Sequence, residues 1–493
     1  MSRSSHGVVG VGKEIPFARG DSDACLSNGV GDCDESMKHT ELRLRNYAGM
    51  AIVMLSVGLV IVGFGAVDLA MIAPKGIEAV AAVGAGDILV SAIFAFFSGG
   101  VDVFGSRVAL SEGEGSTARR LPVLSLALAL LLVAWQLVGV IAAQGVEPLL
   151  RAAGQKHELI PLIGSYVSVR MYGVAAAMLY VASIEALRIC GMKNWSVLTV
   201  CIGFVVNAVL DWAFLYTGLR TLFSSPESAV AAATVFAHLS MGLFGGMMYV
   251  RFVRPRPERL QRPAWSEISA EFRTMIATAT GLGIRHVNDW VGAVIPMIFI
   301  GTLGTASLAA ASVATKIYTL YCRIPQACTS ASYVFYGYAV GRRDADIRHL
   351  WRRLLTFAAV PTIVATVAVL ASAPWLVRLF GGPKIDAALA ELLLFAYVIT
   401  IPFYLMEKTA DQMLTVHQGG RLLSVASTVT TYFIAIPFAA IAVFVLSSSF
   451  LALLGGGLAS LALAAVFWRA LIRKWSEPDS ETIGVLAPTS SGV

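Results

Sequence analysis

Runs of about 20 residues with almost no charge recur along this chain from Tyr47 onward, and nothing else in it constrains the fold as much. A hydrocarbon core of roughly 30 Å takes about 20 apolar residues to cross as a helix. Inside lipid every backbone N–H and C=O must be paired within the protein, so only helices or closed barrels cross. These runs are continuous rather than alternating, which selects helices. With 57% hydrophobic and only 14% charged residues, an ordinary soluble globular protein is excluded. About twelve such runs can be counted, predicting an all-α integral membrane protein. The expected spans are 47–72, 82–108, 121–145, 160–187, 194–217 and 229–251, then 275–302, 308–340, 354–377, 387–416, 422–447 and 449–470.

Two polar tails flank them. Residues 1–46 are Gly/Ser-rich and lack the apolar core of a cleavable signal peptide, so a disordered cytoplasmic tail is expected, with a second at 472–493. Cationic loops stay on the cytoplasmic side. With the N-terminus inside, that side receives Arg119, Arg120, Arg188, Lys193, the group Arg251, Arg254, Arg256, Arg259 and Arg262, then Arg342, Arg343, Arg348, Arg352, Arg353, Arg473 and Lys474. The opposite side holds a scatter, among them Lys75, Arg151, Arg220 and Arg378. Both termini are therefore expected inside, in an inner or plasma membrane. The net charge of +6 follows from this topology and calls for no nucleic-acid partner. Cys25 and Cys33 lack metal-ligand spacing and read as free thiols, and no metal is expected.

A Pro- and Arg-rich connection divides the spans six and six, giving an N-lobe at 47–251, a cytoplasmic linker at 252–274 and a C-lobe at 275–471. The halves align at an offset of 228, which sets "GIEAVAAVG" (76–84) over "GTASLAAAS" (304–312) and Gly113 over Gly341. A duplicated six-helix unit whose copies both start inside gives two lobes related by a pseudo-two-fold axis along the membrane normal, an arrangement transporters use.

Several ordered stretches resemble the multidrug and toxic compound extrusion (MATE) family of cation-coupled exporters. "VDLAMIAPKGIEAVAAVG" (67–84) is similar to that family's span-one signature and "ALSEGEG" (109–115) to the end of its span two. "ALRICGMKNWSVLTVCIGFVVNAVLDWAFLY" (186–216), "AVAAATVFAHLS" (229–240) and "GTLGTASLAAASVATKIYTLYCRIPQACTSASYVFYGYAVGRRD" (301–344) resemble its spans four to eight. The resemblance implies a small-molecule exporter exchanging an organic substrate for H⁺ or Na⁺ as the coupling cation, working as a monomer without a cofactor.

Acids inside spans cost roughly 2.5–3.5 kcal/mol each at a helix centre and need a reason to be there. Asn207 and Asp211, four residues apart, share a helix face. Counting along each span puts Asp68, Asp211 and Thr234 in the same, outer half of the bilayer. Two carboxylates, an amide oxygen and a hydroxyl suit Na⁺, and they equally suit a shared proton. The resemblance implies that Asp68, Asn207, Asp211 and Thr234 bind the coupling cation in the N-lobe. The alternatives are that Asp68 reaches outer water and that Thr234 bonds back to its own helix. In the second half Asp289, Glu407 and Asp411 read as cavity acids, with Arg285 one turn before Asp289 and Lys408 beside Glu407 as neutralising partners. Asp87, Asp102, His238, His286 and His417 are weaker signals.

The chain shows no catalytic constellation and no Walker-type loop, so an enzyme is not expected. The remaining alternative is a flippase for lipid-linked oligosaccharides, for which Arg170, Arg285, Lys316, Arg323 and Lys408 would have to form a cationic cavity for phosphate.

Overall fold

The structure, a computed structural model, describes residues 38–152, 155, 157–253, 263–344, 346–381 and 385–476. Cys25, Cys33, the linker residues Arg254, Arg256, Arg259 and Arg262, and the tail past Ser476 lie outside the described residues. The described residues from Leu42 onward form one compact unit. Before it, the described residues include the 3₁₀ turn Lys38–Thr40.

The first half contains α1 (Leu44–Ile72), α2 (Ile77–Gly113), α3 (Thr117–Ala152), α4 (Ile160–Tyr172), α5 (Val174–Ile189), α6 (Lys193–Tyr216) and α7 (Pro226–Val253). The second contains α8 (Trp265–Gly301), α9 (Thr305–Gly341), α10 (Ile347–Gly381), α11 (Ala387–Val416), α12 (Gly420–Thr430), α13 (Ile436–Phe444) and α14 (Ser449–Ser476). The fourth expected span is broken: α4 and α5 meet at Gly173 with a 53° bend. The eleventh is interrupted between α12 and α13 by a π-helical turn, Thr431–Ala435. Pro437, which has no N–H to give, comes two residues after the turn and accounts for the lost α-helical register. With each interrupted pair taken as one span, the chain has the twelve-helix, two-lobe layout.

Several helices run past the apolar runs that mark them. α8 begins at Trp265, ten residues before the expected start at 275, so the second part of the expected linker is helix. Hydropathy marks only the lipid-immersed part, and a polar helix such as "WSEISAEFR" can continue into water. Nine described helices are long and apolar enough to cross a membrane, ten with the bent pair. α8 and α9 do not meet that test, and they carry Arg285, Asn288 and Asp289 and Lys316, Arg323 and Gln326 respectively. α8 packs on α2 and α12, and α9 packs on α2, α10 and α11.

Backbone geometry repeats at the offset of 228. Gly76 and Gly304, which precede α2 and α9, have φ of 122° and 123° with the same ψ of 165°. That is a conformation open to glycine alone. Past the other ends of the same two helices, Gly115 and Arg343 both have positive φ. Between the halves α2 packs on α8 and α9, and α1 packs on α9, so each contact pair is matched by its repeat. Gly113 and Gly341 face each other, and a Cβ on either would strike the opposite backbone at Tyr338 or Leu110.

Several bonds joining the halves lie toward the end where α1 begins and α2 finishes, while His286 joins Ser98 and Asp102 nearer mid-helix. Tyr47 Oη donates to Cys328 O (2.7 Å), Tyr333 Oη to Asp102 O (2.7 Å), and Tyr338 Oη to Ile189 O. Arg107 pairs with Glu271 at 3.0 Å.

Candidate functional site

Asp68 sits one turn before the end of α1, Asn207 and Asp211 on one face of α6, and Thr234 two turns into α7. α6 packs against both α1 and α7, which turns these side chains toward one another inside the first half. Asp68 is 2% exposed and Asn207 and Asp211 are fully buried. Thr234 Oγ1 donates to Asp68 Oδ2 at 3.0 Å and also lies 3.1 Å from Val230 O of its own helix. The structure thus contains both arrangements raised for the threonine from sequence, and it keeps Asp68 away from outer water. Asn207 and Asp211 are close enough to Asp68 for direct side-chain interaction.

What distinguishes this cluster is what it leaves unpaired. Among the described residues, Asp68 Oδ1, both carboxylate oxygens of Asp211 and both polar atoms of Asn207 are buried without a hydrogen-bond partner. Each such atom carries a cost of about 1–3 kcal/mol, so natural structures keep few of them without a reason. A small cation among the four oxygens would satisfy all of these acceptors, and a proton bridging the carboxylates would satisfy the acids.

A second polar group lies beside it. Asp87 on α2 accepts from Tyr166 Oη (3.5 Å) and faces Arg170 Nη1 (3.6 Å) on α4, while Arg170 donates to Tyr166 Oη at 2.8 Å. His238 stacks on Tyr180, centroids 4.6 Å apart. Sequence reasoning did not join Asp87 to Arg170; 83 positions separate them, and only the packing of α2 on α4 brings them together.

In the second half Asp289, Glu407 and Asp411 also converge, but on cations of their own. Arg285, fully buried, pairs with Asp289 and Glu407 and lies 3.5 Å from Asp411. Lys408 Nζ is 2.6 Å from Asp289, 3.6 Å from Glu407 and 3.7 Å from Asp411. Three acids against two bases leave one negative charge, and the acids already have partners. Of the three, only Asp289 retains substantial exposure, 37% of its side chain. Across the midline His286 Nε2 faces Asp102 at 3.2 Å and its Nδ1 meets Ser98 Oγ at 2.8 Å.

Comparison with known proteins agrees with this construction. The chain is 25% identical over 293 residues to the probable multidrug resistance protein NorM of Rhizobium meliloti (strain 1021), an alignment spanning 56% of this chain and 59% of that protein. A namesake from Agrobacterium fabrum is 23% identical over 71% of this chain and 75% of its own length. The fold matches the crystal structure of a MATE protein in the bent conformation, with a TM-score of 0.71 at 20% identity over 89% of this chain and 97% of the other. It also matches a MOP superfamily transporter from Pyrococcus furiosus, with a TM-score of 0.71 at 19% identity over 90% and 99%. The MatE family model matches twice, at residues 53–213 and 285–441, once in each half of the duplicated bundle. The chain is a multi-pass membrane protein and belongs to the MatE family.

Proposed function

We propose that this chain is a secondary active exporter of small organic, cationic or amphipathic compounds, driven by antiport of H⁺ or Na⁺ and working by alternating access between its lobes. The reading places it in the plasma membrane with both termini in the cytoplasm. The observation that carries it is the buried, unpaired set Asp68, Asn207 and Asp211 with Thr234 alongside. Two carboxylates against one another inside a lobe repel, and a proton or Na⁺ between them removes the repulsion.

The cation would change the balance of forces on α1, because Asp68 is tied to α7 through Thr234 and sits just before the helix ends near Pro74. A rearrangement there that weakens substrate binding gives competition between ion and substrate, and a ligand shifts a conformational equilibrium only by its differential affinity for the two states. One charge moving through 100 mV supplies about 2.3 kcal/mol, or about 50-fold in substrate gradient. The bonds joining the lobes at the end read as cytoplasmic fit a state closed inside, from which such an exchange would begin. Against the flippase reading, Arg170 faces Asp87, and Arg285 and Lys408 are held by carboxylates, so these cations are not free to bind phosphate.

Substrate flux in proteoliposomes under separately imposed pH and Na⁺ gradients tests the proposal. Flux against its gradient under one or both is expected; flux indifferent to both contradicts it.

A further inference from the structure

The cavity of about 780 Å³ lies well away from the acidic cluster, among α2, α3, α5 and α7. It is within the usual size of small-ligand sites. Its walls are apolar: Phe104, Leu128, Leu132 and Leu179 line it, and its polar groups include Tyr249 and Arg251 at one end. It reaches the outer surface of the bundle, since Leu243 and Met247, on its rim, are 60% and 56% exposed.

Its depth is informative. From Arg251 to Gly242 the cavity follows α7 for about 13 Å at 1.5 Å per residue. That is close to one leaflet of hydrocarbon, about 15 Å. Arg251 marks the end read as cytoplasmic, where the inner-leaflet headgroups lie. Tyr249, 5% exposed, backs the slot from inside the bundle.

From this geometry we infer that the cavity is a binding site for an anionic phospholipid of the cytoplasmic leaflet, with an acyl chain between α3, α5 and α7 and the phosphate at Arg251. Charge selects the occupant: an apolar slot alone takes any acyl chain, whereas a cation at its polar end favours an anionic headgroup over a zwitterionic one.

The test uses the full chain in nanodiscs and phosphatidylglycerol carrying a photoreactive diazirine in its acyl chain. Label is expected to concentrate on peptides covering 179–186 and 242–251, and phosphatidylglycerol should compete about fivefold better than phosphatidylcholine. Arg251→Gln, at the exposed end of α7, should abolish that preference while acyl labelling persists. Gly246→Leu should fill the slot and remove the label, because a Cβ at 246 meets only Ser183 Oγ, at 3.6 Å. Label spread evenly over lipid-facing helices such as α10 overturns the proposal. So does equal competition by the two lipids in the unaltered chain, or labelling that persists unchanged with Leu at 246.

Discussion

Replacing Arg285 by Met should be among the most damaging single changes in this protein, and its repair is specific. Arg285 is fully buried and serves Asp289, Glu407 and Asp411 together. Arg285→Met keeps most of the volume but leaves three acids to Lys408 alone, doubling the cluster's net negative charge from one to two. Removing one partner of a buried pair costs about 3–5 kcal/mol, or roughly two to nearly four orders of magnitude in the folding constant. Adding Glu407→Gln restores a single negative charge, since Asp289 and Asp411 then face Lys408, and should recover half of the loss or more. Reversible unfolding in detergent, followed by tryptophan fluorescence for the parent, both single variants and the double variant, gives the coupling directly. A cost below about 1 kcal/mol for Arg285→Met, or no recovery in the double variant, would refute the ion-pair account.

Other consequences are equally direct. Asn207→Leu removes two buried, unpaired polar atoms, so in ion-free buffer it should be at least as stable as the parent, yet thermal unfolding should no longer respond to the coupling ion. Persistent ion-dependent stabilisation would take Asn207 out of the site. Gly76→Ala and Gly304→Ala should each cost about 1–3 kcal/mol in the same unfolding assay, because φ near 120° is closed to alanine; unchanged stability in either would contradict the strained turns. Tyr333→Phe and Tyr338→Phe each remove a hydrogen bond to a backbone carbonyl across the lobe junction. At about 1 kcal/mol apiece, each should shift the population parted at that end about fivefold, read as spin-label distances between α2 and α9, and an unshifted distance distribution speaks against a gate there.

Lipid made most of this fold legible in sequence, because crossing it imposes one length and one composition on every exposed helix. The same physics hid the ends. Nothing in hydropathy marks where α8 continues into water at Trp265. The break at Gly173 carried no proline to announce it, whereas the π turn ends two residues before Pro437. The duplication was readable because glycine marks its backbone: Gly76 and Gly304 occupy the same rare conformation 228 residues apart.

Helix arithmetic accounts for much of the candidate site. Asn207 and Asp211 share a face at any four-residue spacing, and rise per residue alone places Asp68, Asp211 and Thr234 in the same half of the bilayer. Rotation about each helix axis is not written in the sequence. It decides that Asp87 meets Arg170, and that Glu407 and Asp411 turn to Arg285 instead of standing free in a cavity.

The most direct test of the proposed coupling is the ratio of ion flux to substrate flux in proteoliposomes holding the parent, Asp68→Asn or Asp211→Asn. The account predicts that each variant still binds substrate but loses gradient-driven accumulation, because a site with one carboxylate no longer exchanges the ion for substrate. Accumulation at the parent's level in both variants would contradict the central claim.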